Sequence, residues 1–383
     1  MKNQQGAAMD FDHSVLKGFS AAPGFPVHRQ LSDFIRELIR AGLLPAGVKL
    51  PGQRDLSELW RINQATVNKS FGTLVKEGLL RRNHGSGTFV QPQPRRIRHV
   101  GIYAARPVDN SRIDFYYLLF SMLKNLLEQD GIAISYYPDH RDEEQQHEIL
   151  PSLAETLNDG GIDALIAINI NRYDWNWLDR LSIPCCINSS AGNRRGISFN
   201  NETSFQAVID RALQLGCRSL GFISTWHTGK SGAHDTLSEK FIRMLKNSPL
   251  EWRREWLVTP ARWVPDRNYH EYAREATLRL FGRKKLPDAV FIYPDVIAMV
   301  ALQIIPTLNI APEKMPELIL HRNREIAYYC HYHCSWLELS IEEYAREIIG
   351  FLREQLEHEV ETGRSYTMKL IPGQTGQSGG QPR

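Results

Sequence analysis

The chain has 383 residues, of which 42% are hydrophobic and 23% charged, a composition typical of a globular protein with two or three domains. No apolar run approaches the roughly 18–20 residues that a membrane-spanning helix needs, and the N-terminus lacks the basic-then-apolar layout of a signal peptide. Five cysteines in so long a chain do not make a disulfide framework, so we expect free thiols, a cytoplasmic location and no membrane contact.

The formal net charge of +3 hides an uneven distribution along the chain. Residues 26–98 contain 13 Lys or Arg and 5 Asp or Glu, whereas residues 99–383 contain 31 basic and 36 acidic side chains. A basic head on a mildly acidic body favours contact between the head and a polyanion.

The head reads as three helices followed by a hairpin. Apolar residues recur at helical spacing in 26–41 and 64–78, and a shorter helix is predicted for 53–60. The stretch "LLRRNHGSGTFV" then predicts a strand, a glycine-rich turn and a second strand. A nucleotide-binding phosphate loop is excluded, because the glycines join two strands and no Lys follows them. The order predicts a winged helix-turn-helix, whose third helix fits the DNA major groove.

Residues 44–90 resemble the GntR family of bacterial repressors, with "KLPGQRDLSEL", "ATVNKS" and "GSGTFV" among the matching pieces. The resemblance implies that three places touch double-stranded operator DNA: the Arg after the Leu-Pro motif, the start of the recognition helix, and the tip of the wing. Carried over with two polar neighbours, the DNA-binding residues are Arg54, Gln64, Thr66, Asn68, Lys69, His84, Gly85 and Ser86.

This chain departs from the family at Gln64 and Asn68, where members often have Arg. Arg pairs with guanine and Gln or Asn pairs with adenine, so we expect an operator richer in A·T at these positions. Other interpretations stay open. Gln64 and Asn68 are also compatible with a solvated helix face, His84 with a turn residue, and Arg54 with a salt bridge to Asp55 or Glu58.

Residues 98–372 alternate between strand and helix patterns, which predicts parallel sheets covered by helices. The length favours a two-lobed α/β body. The predicted organisation is a disordered segment 1–25, an α+β winged head 26–91, a linker 92–97, the body 98–372 with effector-binding and dimerisation roles, and a disordered tail 373–383.

The body resembles the sugar-sensing domain of LacI-type repressors, which is similar to periplasmic sugar-binding proteins. The resemblance lies in the order of "GIDALIAIN", "IPCCIN", "ALQLGCRSLGFIS", "LPDAVFIYPDVIAM" and "YTMKLIP". A head and body of these kinds also occur together in arabinose-type repressors. The resemblance implies a homodimer whose two heads read a two-fold operator, and a cleft that binds a small sugar-like effector.

Ligands of such folds bind beyond the carboxyl ends of the strands. Polar residues that follow predicted strands are therefore expected to bind the effector: Arg106, Asn171, Asn188, Trp226, His227 and Asp295. Asp295 fits the family's position for a sugar-binding carboxylate, and Trp226 is suited to stack on a sugar ring. The open alternatives are a helix N-cap for Asp295, a core position for Trp226, and pairing of Arg106 with Asp109 or Asp114.

Two departures bear on the effector. Leu237 stands where the family has an Arg that grips ligand hydroxyls, and "LHRN" replaces the usual Gly-Phe-Asp after a late strand. His321, or alternatively Asn323, is therefore predicted to replace the lost Asp.

The segment "YCHYHC" at 329–334 is interpreted as a strand rather than a metal site, because a straight strand points its Cys and His side chains to opposite faces. We expect no metal, no cofactor and no enzymatic activity, since the common hydrolase motifs do not occur. The sequence thus predicts an effector-responsive DNA-binding regulator, with a repressor of carbohydrate-utilisation genes as the leading interpretation. The alternatives are an architectural DNA-binding protein without effector, and a DNA-binding fusion to an enzyme-like domain.

Overall fold

The chain divides into two units, Met1–Arg95 and Arg96–Arg383, and the division lies inside the segment expected to be a linker. The structure is a computed structural model. It describes residues 13–83, 85–92, 96–108, 115–170, 176–188, 195–225, 230–231, 234–261, 268–358, 360 and 362–373. In these ranges no helix is both long and apolar enough to cross a membrane.

The head contains the predicted three helices and hairpin. Its elements are α1 (Val27–Arg40), α2 (Gln53–Trp60), α3 (Gln64–Lys76), β1 (Leu80–Asn83) and β2 (Gly87–Val90). The first helix crosses the third around buried Leu31, Ile35 and Phe71.

Two hydrogen bonds position α3 within the head. Asn63 caps the helix, because its side-chain oxygen accepts a hydrogen bond from the Ala65 N–H at 2.7 Å. The buried Ser70 hydroxyl donates to the His28 carbonyl of α1 at 2.9 Å. These bonds fix both the start of α3 and its crossing with α1, so the side chains of its first two turns have a defined direction.

The prediction that residues 1–25 are disordered is wrong for the part that the structure describes. His13–Gly18 form a 3-10 helix whose Leu16 is fully buried in the head core. The Trp60 indole donates to the Leu16 carbonyl at 2.6 Å. Residues 1–12 lie outside the described residues.

The body has strands that form two separate six-stranded sheets. The strands of the body, with one short hairpin, are β3 (His99–Ala104), β4 (Ala133–Pro138), β5 (Ala164–Ile168), β6 (Cys185–Asn188), β7 (Gly196–Phe199), β8 (Leu220–Ser224), β9 (Lys230–Ser231), β10 (His234–Asp235), β11 (Leu257–Val258), β12 (Ala289–Tyr293), β13 (Glu317–Asn323), β14 (Cys334–Leu339), β15 (Arg364–Tyr366) and β16 (Lys369–Ile371).

The helices of the body pack on these sheets. They are α4 (Phe115–Gln129), α5 (Pro151–Asn158), α6 (Asn176–Asp179), α7 (Asn201–Gln214), α8 (Leu237–Lys246), α9 (Tyr269–Phe281), α10 (Asp295–Ile304) and α11 (Ile341–Glu357).

The two-lobed parallel α/β body is confirmed. The first sheet has the order β15-β7-β6-β5-β3-β4, with parallel pairing throughout. The second has the order β11-β8-β12-β13-β14-β16 and is parallel except for β16. The chain passes between the sheets through α7, through α11 and again between β15 and β16. Polar residues at the carboxyl ends of β12 and β13 therefore meet at one edge of the second sheet.

Candidate DNA-binding face and effector pocket

The first two turns of α3 present polar side chains to solvent. Gln64, Asn68 and Lys69 are exposed and Thr66 is half-buried, while Val67 on the opposite side is fully buried. This is the arrangement that a helix entering the major groove requires. The exposed side of α3 is thus formed by the residues predicted to contact DNA, and their DNA roles stay predictions.

Asn68 has a partner that the sequence did not indicate. Arg82 of β1 donates from Nη2 to the Asn68 side-chain oxygen at 2.8 Å and to its carbonyl at 3.0 Å. The Gln53 amide lies 3.4 Å from the same side-chain oxygen. The wing strand is thereby attached to α3. The predicted bidentate contact of Asn68 with adenine needs this oxygen as an acceptor, so it requires the Arg82 bond to break or be shared.

The turn of the wing hairpin contains two glycines with positive φ values. Gly85 and Gly87 have φ values of +75° and +115°, a region that other residues rarely adopt. Gly85 and Ser86 are exposed at the tip, whereas His84 lies outside the described residues. A Cβ atom at Gly87 would stand 2.9 Å from Cε of Lys49, so the glycine lets this lysine lie against the wing.

The arginines of the head differ in how firmly they are paired with carboxylates. Arg54 is 86% exposed and lies 3.5 Å from Glu58, the ion pair that was the open alternative for this residue. Exposed pairs of this kind are worth about 0–1 kcal/mol, so Arg54 stays available to a phosphate. Arg36 instead pairs with Glu77 and Asp33.

His28 lies close to basic residues beside α3. Partial burial and the charges of Lys69 and Arg29 lower the pKa of His28. Proximity to Lys69 places this histidine beside the proposed recognition face, where its neighbours disfavour a further positive charge.

The second site lies at the carboxyl ends of β12 and β13. Asp295 opens α10 and is buried. Its Oδ2 accepts a hydrogen bond from the Asn323 amide at 2.6 Å and lies 3.4 Å from the Tyr328 hydroxyl. Pro294, not Asp295, is the N-cap of α10, so the helix-cap alternative for Asp295 is not what the structure shows.

His321 is held as a neutral donor. It is 4% exposed, and burial lowers its pKa to about 3. Its Nδ1 accepts from the Asp295 backbone N–H at 2.9 Å, which places the proton of the neutral ring on Nε2. This Nε2 is buried and has no hydrogen-bond partner within the described part of the chain.

Asn323 supplies the complementary atom. It is 1% exposed, and its Oδ1 is likewise buried and without a partner among the described residues. The pocket therefore holds one unsatisfied donor and one unsatisfied acceptor beside a carboxylate. Unsatisfied buried polar atoms are rare in native proteins and indicate a ligand, water or ion. A hydroxyl group, which both accepts and donates, is suited to such a pair.

Two tyrosines lie next to these polar groups. Tyr293 meets His321 edge-on, with 4.7 Å between the ring centroids. The ring centroids of Tyr328 and Trp336 are 5.6 Å apart. The Arg322 guanidinium stacks over the Trp336 ring, with its Cζ atom 4.8 Å from the ring centroid. Sequence reasoning missed Tyr328, because it lies in a loop where no periodic pattern marks its direction.

The other predicted effector residues are less well supported. The Asn188 amide donates to the Tyr344 hydroxyl at 2.6 Å and so joins β6 to α11. Arg106 is half-buried just after β3. Asn171, Trp226 and His227 fall outside the described residues. The effector roles of these five residues, like those of Asp295 and His321, stay predictions.

No group of three His, Cys, Asp or Glu side chains converges as a metal site would need, within the ranges that the structure describes.

Leu237 begins α8, directly after its N-cap Thr236, whose hydroxyl accepts from the Glu239 N–H at 3.2 Å.

Comparisons with known protein families give one match to the head and one to the body. Residues 28–90 match bacterial regulatory proteins of the gntR family, and residues 209–375 match a periplasmic binding protein-like domain. The HTH-type transcriptional regulator GgaR of Escherichia coli K12 is 37% identical over 68 residues, which are 18% of this chain and 27% of GgaR. The chain thus spans about a quarter of the length of this relative.

Solved structures share the fold of the body. The Escherichia coli transcriptional repressor ascG gives a TM-score of 0.56 at 18% identity, covering 72% of this chain and 98% of that chain. A LacI family regulator from Arthrobacter sp. FB24, in complex with lactose, gives 0.51 at 14% identity, covering 72% and 98%. The predicted resemblances are confirmed: residues 28–90 are similar to regulators of the gntR family, and the body has the fold seen in LacI-family regulators.

The neutral state of His321 makes stability depend on pH. Its pKa is about 3 in the fold against an ordinary value of 6.5, so the unfolded chain binds the proton first as the pH falls. Stability is therefore lost from about pH 6.5 down to about pH 3. We expect His321→Asn, whose amide oxygen can accept the Asp295 N–H, to remove about 2 kcal/mol of the loss between pH 7 and 5.

Urea unfolding at the two pH values measures this difference. His147→Asn is the control, because the His147 side chain is 63% exposed and should keep the wild-type pH dependence. Equal losses in wild type and His321→Asn would show that His321 is not a buried neutral ring.

Proposed function

We propose that this chain is an effector-responsive transcriptional regulator, acting as a repressor of carbohydrate-utilisation genes. The observation that carries the proposal is the buried donor–acceptor pair of His321 Nε2 and Asn323 Oδ1 in the body of a chain whose head is a GntR-type DNA-binding domain. An architectural DNA-binding protein has no use for such a pair. The regulators with which the chain compares also favour this role over an enzymatic one.

On the DNA, the exposed side of α3 would lie in the major groove, and the wing tip and Arg54 would contact phosphates. Phosphate contacts give affinity and base contacts give sequence preference. Two heads in a homodimer would read two half-sites related by a two-fold axis. The surplus of basic residues in the head supports this arrangement.

In the pocket, we assign a sugar or sugar derivative as the effector. One sugar hydroxyl would accept from His321 Nε2 and donate to Asn323 Oδ1, and Asp295 would accept from a second hydroxyl. The rings of Tyr293 and Tyr328 beside the site suit the apolar face of a sugar ring. The lactose bound to the Arthrobacter regulator supports this class of ligand.

The effector would control DNA binding by preferring one of two states of the dimer. Such coupling is typically worth about 1–3 kcal/mol, or about 5–150-fold in operator affinity. Binding would act in both directions, since the operator must change effector affinity by the same factor.

Arg54→Ala tests the DNA contact. We expect at least about tenfold weaker binding to an operator selected from random duplexes, and a salt dependence shallower by about one ion, because one phosphate contact is lost. Fluorescence anisotropy across a salt series measures both quantities. The matched control is Arg346→Ala, which removes the same kind of exposed i,i+4 ion pair from α11 in the body. Wild-type affinity in Arg54→Ala would refute the proposed docking of α2.

Arg82→Ala tests how Asn68 reads DNA. With Arg82 bonded to its oxygen, Asn68 can offer a base only its NH₂ donor. Removing Arg82 frees the oxygen for a bidentate adenine contact, so the selected operators should gain adenine at one position per half-site while overall affinity falls. Sequencing of selected duplexes measures the change. A base preference identical to wild type at every position would exclude Asn68 as a base-reading residue.

Asp295→Asn tests the pocket. Among a panel of mono- and disaccharides, those that raise the Tm of the wild type should lose this effect, because the carboxylate no longer accepts a hydroxyl proton, while operator binding without sugar is unchanged. Asp288→Asn is the control, since Asp288 lies just before the opposite end of β12 and accepts from the Arg218 and Ser219 N–H groups.

Two outcomes would contradict this part of the proposal. A thermal shift retained in Asp295→Asn would place the effector elsewhere in the body. No shift of the wild type with any sugar would reject the sugar class.

A further inference from the structure

Two thiols lie within contact distance where the loop after β13 meets the start of β14. The Sγ atoms of Cys330 and Cys334 are 3.0 Å apart, and each lies 3.3 Å from the Tyr332 carbonyl oxygen. The strand predicted for "YCHYHC" is therefore wrong: only Cys334 belongs to a strand, and residues 327–333 form no regular structure. The chain folds back on itself between the two cysteines, which brings their sulfurs together.

The other three cysteines are chemically different. Cys185, Cys186 and Cys217 are buried in the body core, and burial raises the pKa of Cys185 to about 12 and that of Cys217 to about 11. A thiol in such surroundings is inert, because the thiolate is the reactive form.

Cys330 has the opposite character. A hydrogen bond with Cys334 lowers the pKa of Cys330 below its ordinary value, since it stabilises the thiolate of Cys330. Cys330 therefore ionises more readily than the three cysteines of the body core.

The two sulfurs also differ in access. Cys330 is half-buried next to Tyr329, which is 82% exposed, whereas Cys334 is buried at the start of β14. A small polar oxidant from solvent reaches Cys330 first. Cys334 then stands in position to react with the oxidised sulfur, the arrangement of an attacking and a resolving cysteine.

We propose that Cys330 and Cys334 form an oxidisable dithiol site that hydrogen peroxide converts to an intrachain disulfide. The Cys330 thiolate attacks peroxide, the O–O bond breaks, and a sulfenic acid forms with release of hydroxide, which takes up a proton to become water. The Cys334 thiol then attacks this sulfur, the S–S bond forms and a second water leaves. Both sulfurs are oxidised and one peroxide is reduced. The sulfurs need to approach by only about 1 Å to reach a normal S–S length of about 2.05 Å.

The site is connected to the effector pocket through Tyr328, two residues before Cys330. The Tyr328 hydroxyl lies 3.4 Å from Asp295 Oδ2 and 3.3 Å from the Asn323 backbone nitrogen. A disulfide ties the loop to β14 and restricts Tyr328 against Asp295. This second step rests on the proposed function, because it assigns the oxidation a role in effector binding.

The test uses the full-length reduced chain, treated with a small molar excess of hydrogen peroxide, alkylated with iodoacetamide and digested with trypsin. One tryptic peptide, residues 325–346, contains both thiols and no other cysteine. We expect it to lose two hydrogen atoms and to carry no alkyl group after peroxide, and to carry two alkyl groups after dithiothreitol. Cys330→Ser and Cys334→Ser should each abolish the intrapeptide bond, while Cys217→Ser should leave it unchanged.

Two alkyl groups on that peptide in the peroxide-treated wild type would overturn the dithiol site, and so would a cross-link between two chains. Hydrogen exchange of peptides covering 293–298 and 321–329 tests the connection to the pocket. We expect slower exchange in the oxidised wild type and no change in Cys330→Ser. A disulfide that leaves this exchange unaltered would overturn the connection. Neither measurement requires a bound sugar or an operator, so both outcomes are independent of whether the proposed function holds.

Discussion

The hydrogen bond from the Asp295 backbone N–H to Nδ1 of His321 determines the chemistry of the pocket. Because Nδ1 is the acceptor, the single proton of the neutral ring must sit on Nε2, and the ring cannot turn without losing the bond. The same bond joins the start of α10 to β13, so the Asp295 carboxylate and the His321 donor keep a fixed distance. Burial adds the remaining condition, since it keeps the ring neutral at physiological pH.

The head and the pocket share one structural device. In each, a polar side chain is held through one atom by a residue of a neighbouring helix or strand, so that its second polar atom has a defined direction. Asn68 is held through its oxygen by Arg82 of β1, and Asn323 is held through its nitrogen by Asp295. An amide fixed in this way presents only a donor or only an acceptor. In the proposed contacts, selectivity for bases or for hydroxyls would then depend on the holding residue as much as on the amide itself.

Local patterns were sufficient to predict the head and the layers of the body, because helix periodicity, glycine turns and strand–helix alternation are all short-range signals. What the sequence could not show were contacts between distant segments. Leu16 is ordered by Trp60, and Arg82 reaches Asn68 only because the wing pairs in one particular register. Residues 329–333 form a loop where a strand was expected. Their alternating polar and apolar residues are also compatible with a strand, and only the long-range pairing of β13 with β14 decides that the strand begins at Cys334.

The geometry disfavours a carboxylate at position 323, which is, with His321, one of the two positions predicted to replace the family's late Asp. A carboxylate at position 323 would stand at hydrogen-bond distance from the Asp295 carboxylate, where Asn323 now donates at 2.6 Å. Two buried like charges this close repel, and one of them has to take up a proton. The amide removes the repulsion and keeps an acceptor facing the pocket. A site with one carboxylate, one neutral histidine and one amide then suits an uncharged polyhydroxyl ligand better than a phosphorylated one, because a phosphate beside Asp295 would restore the repulsion that Asn323 removes.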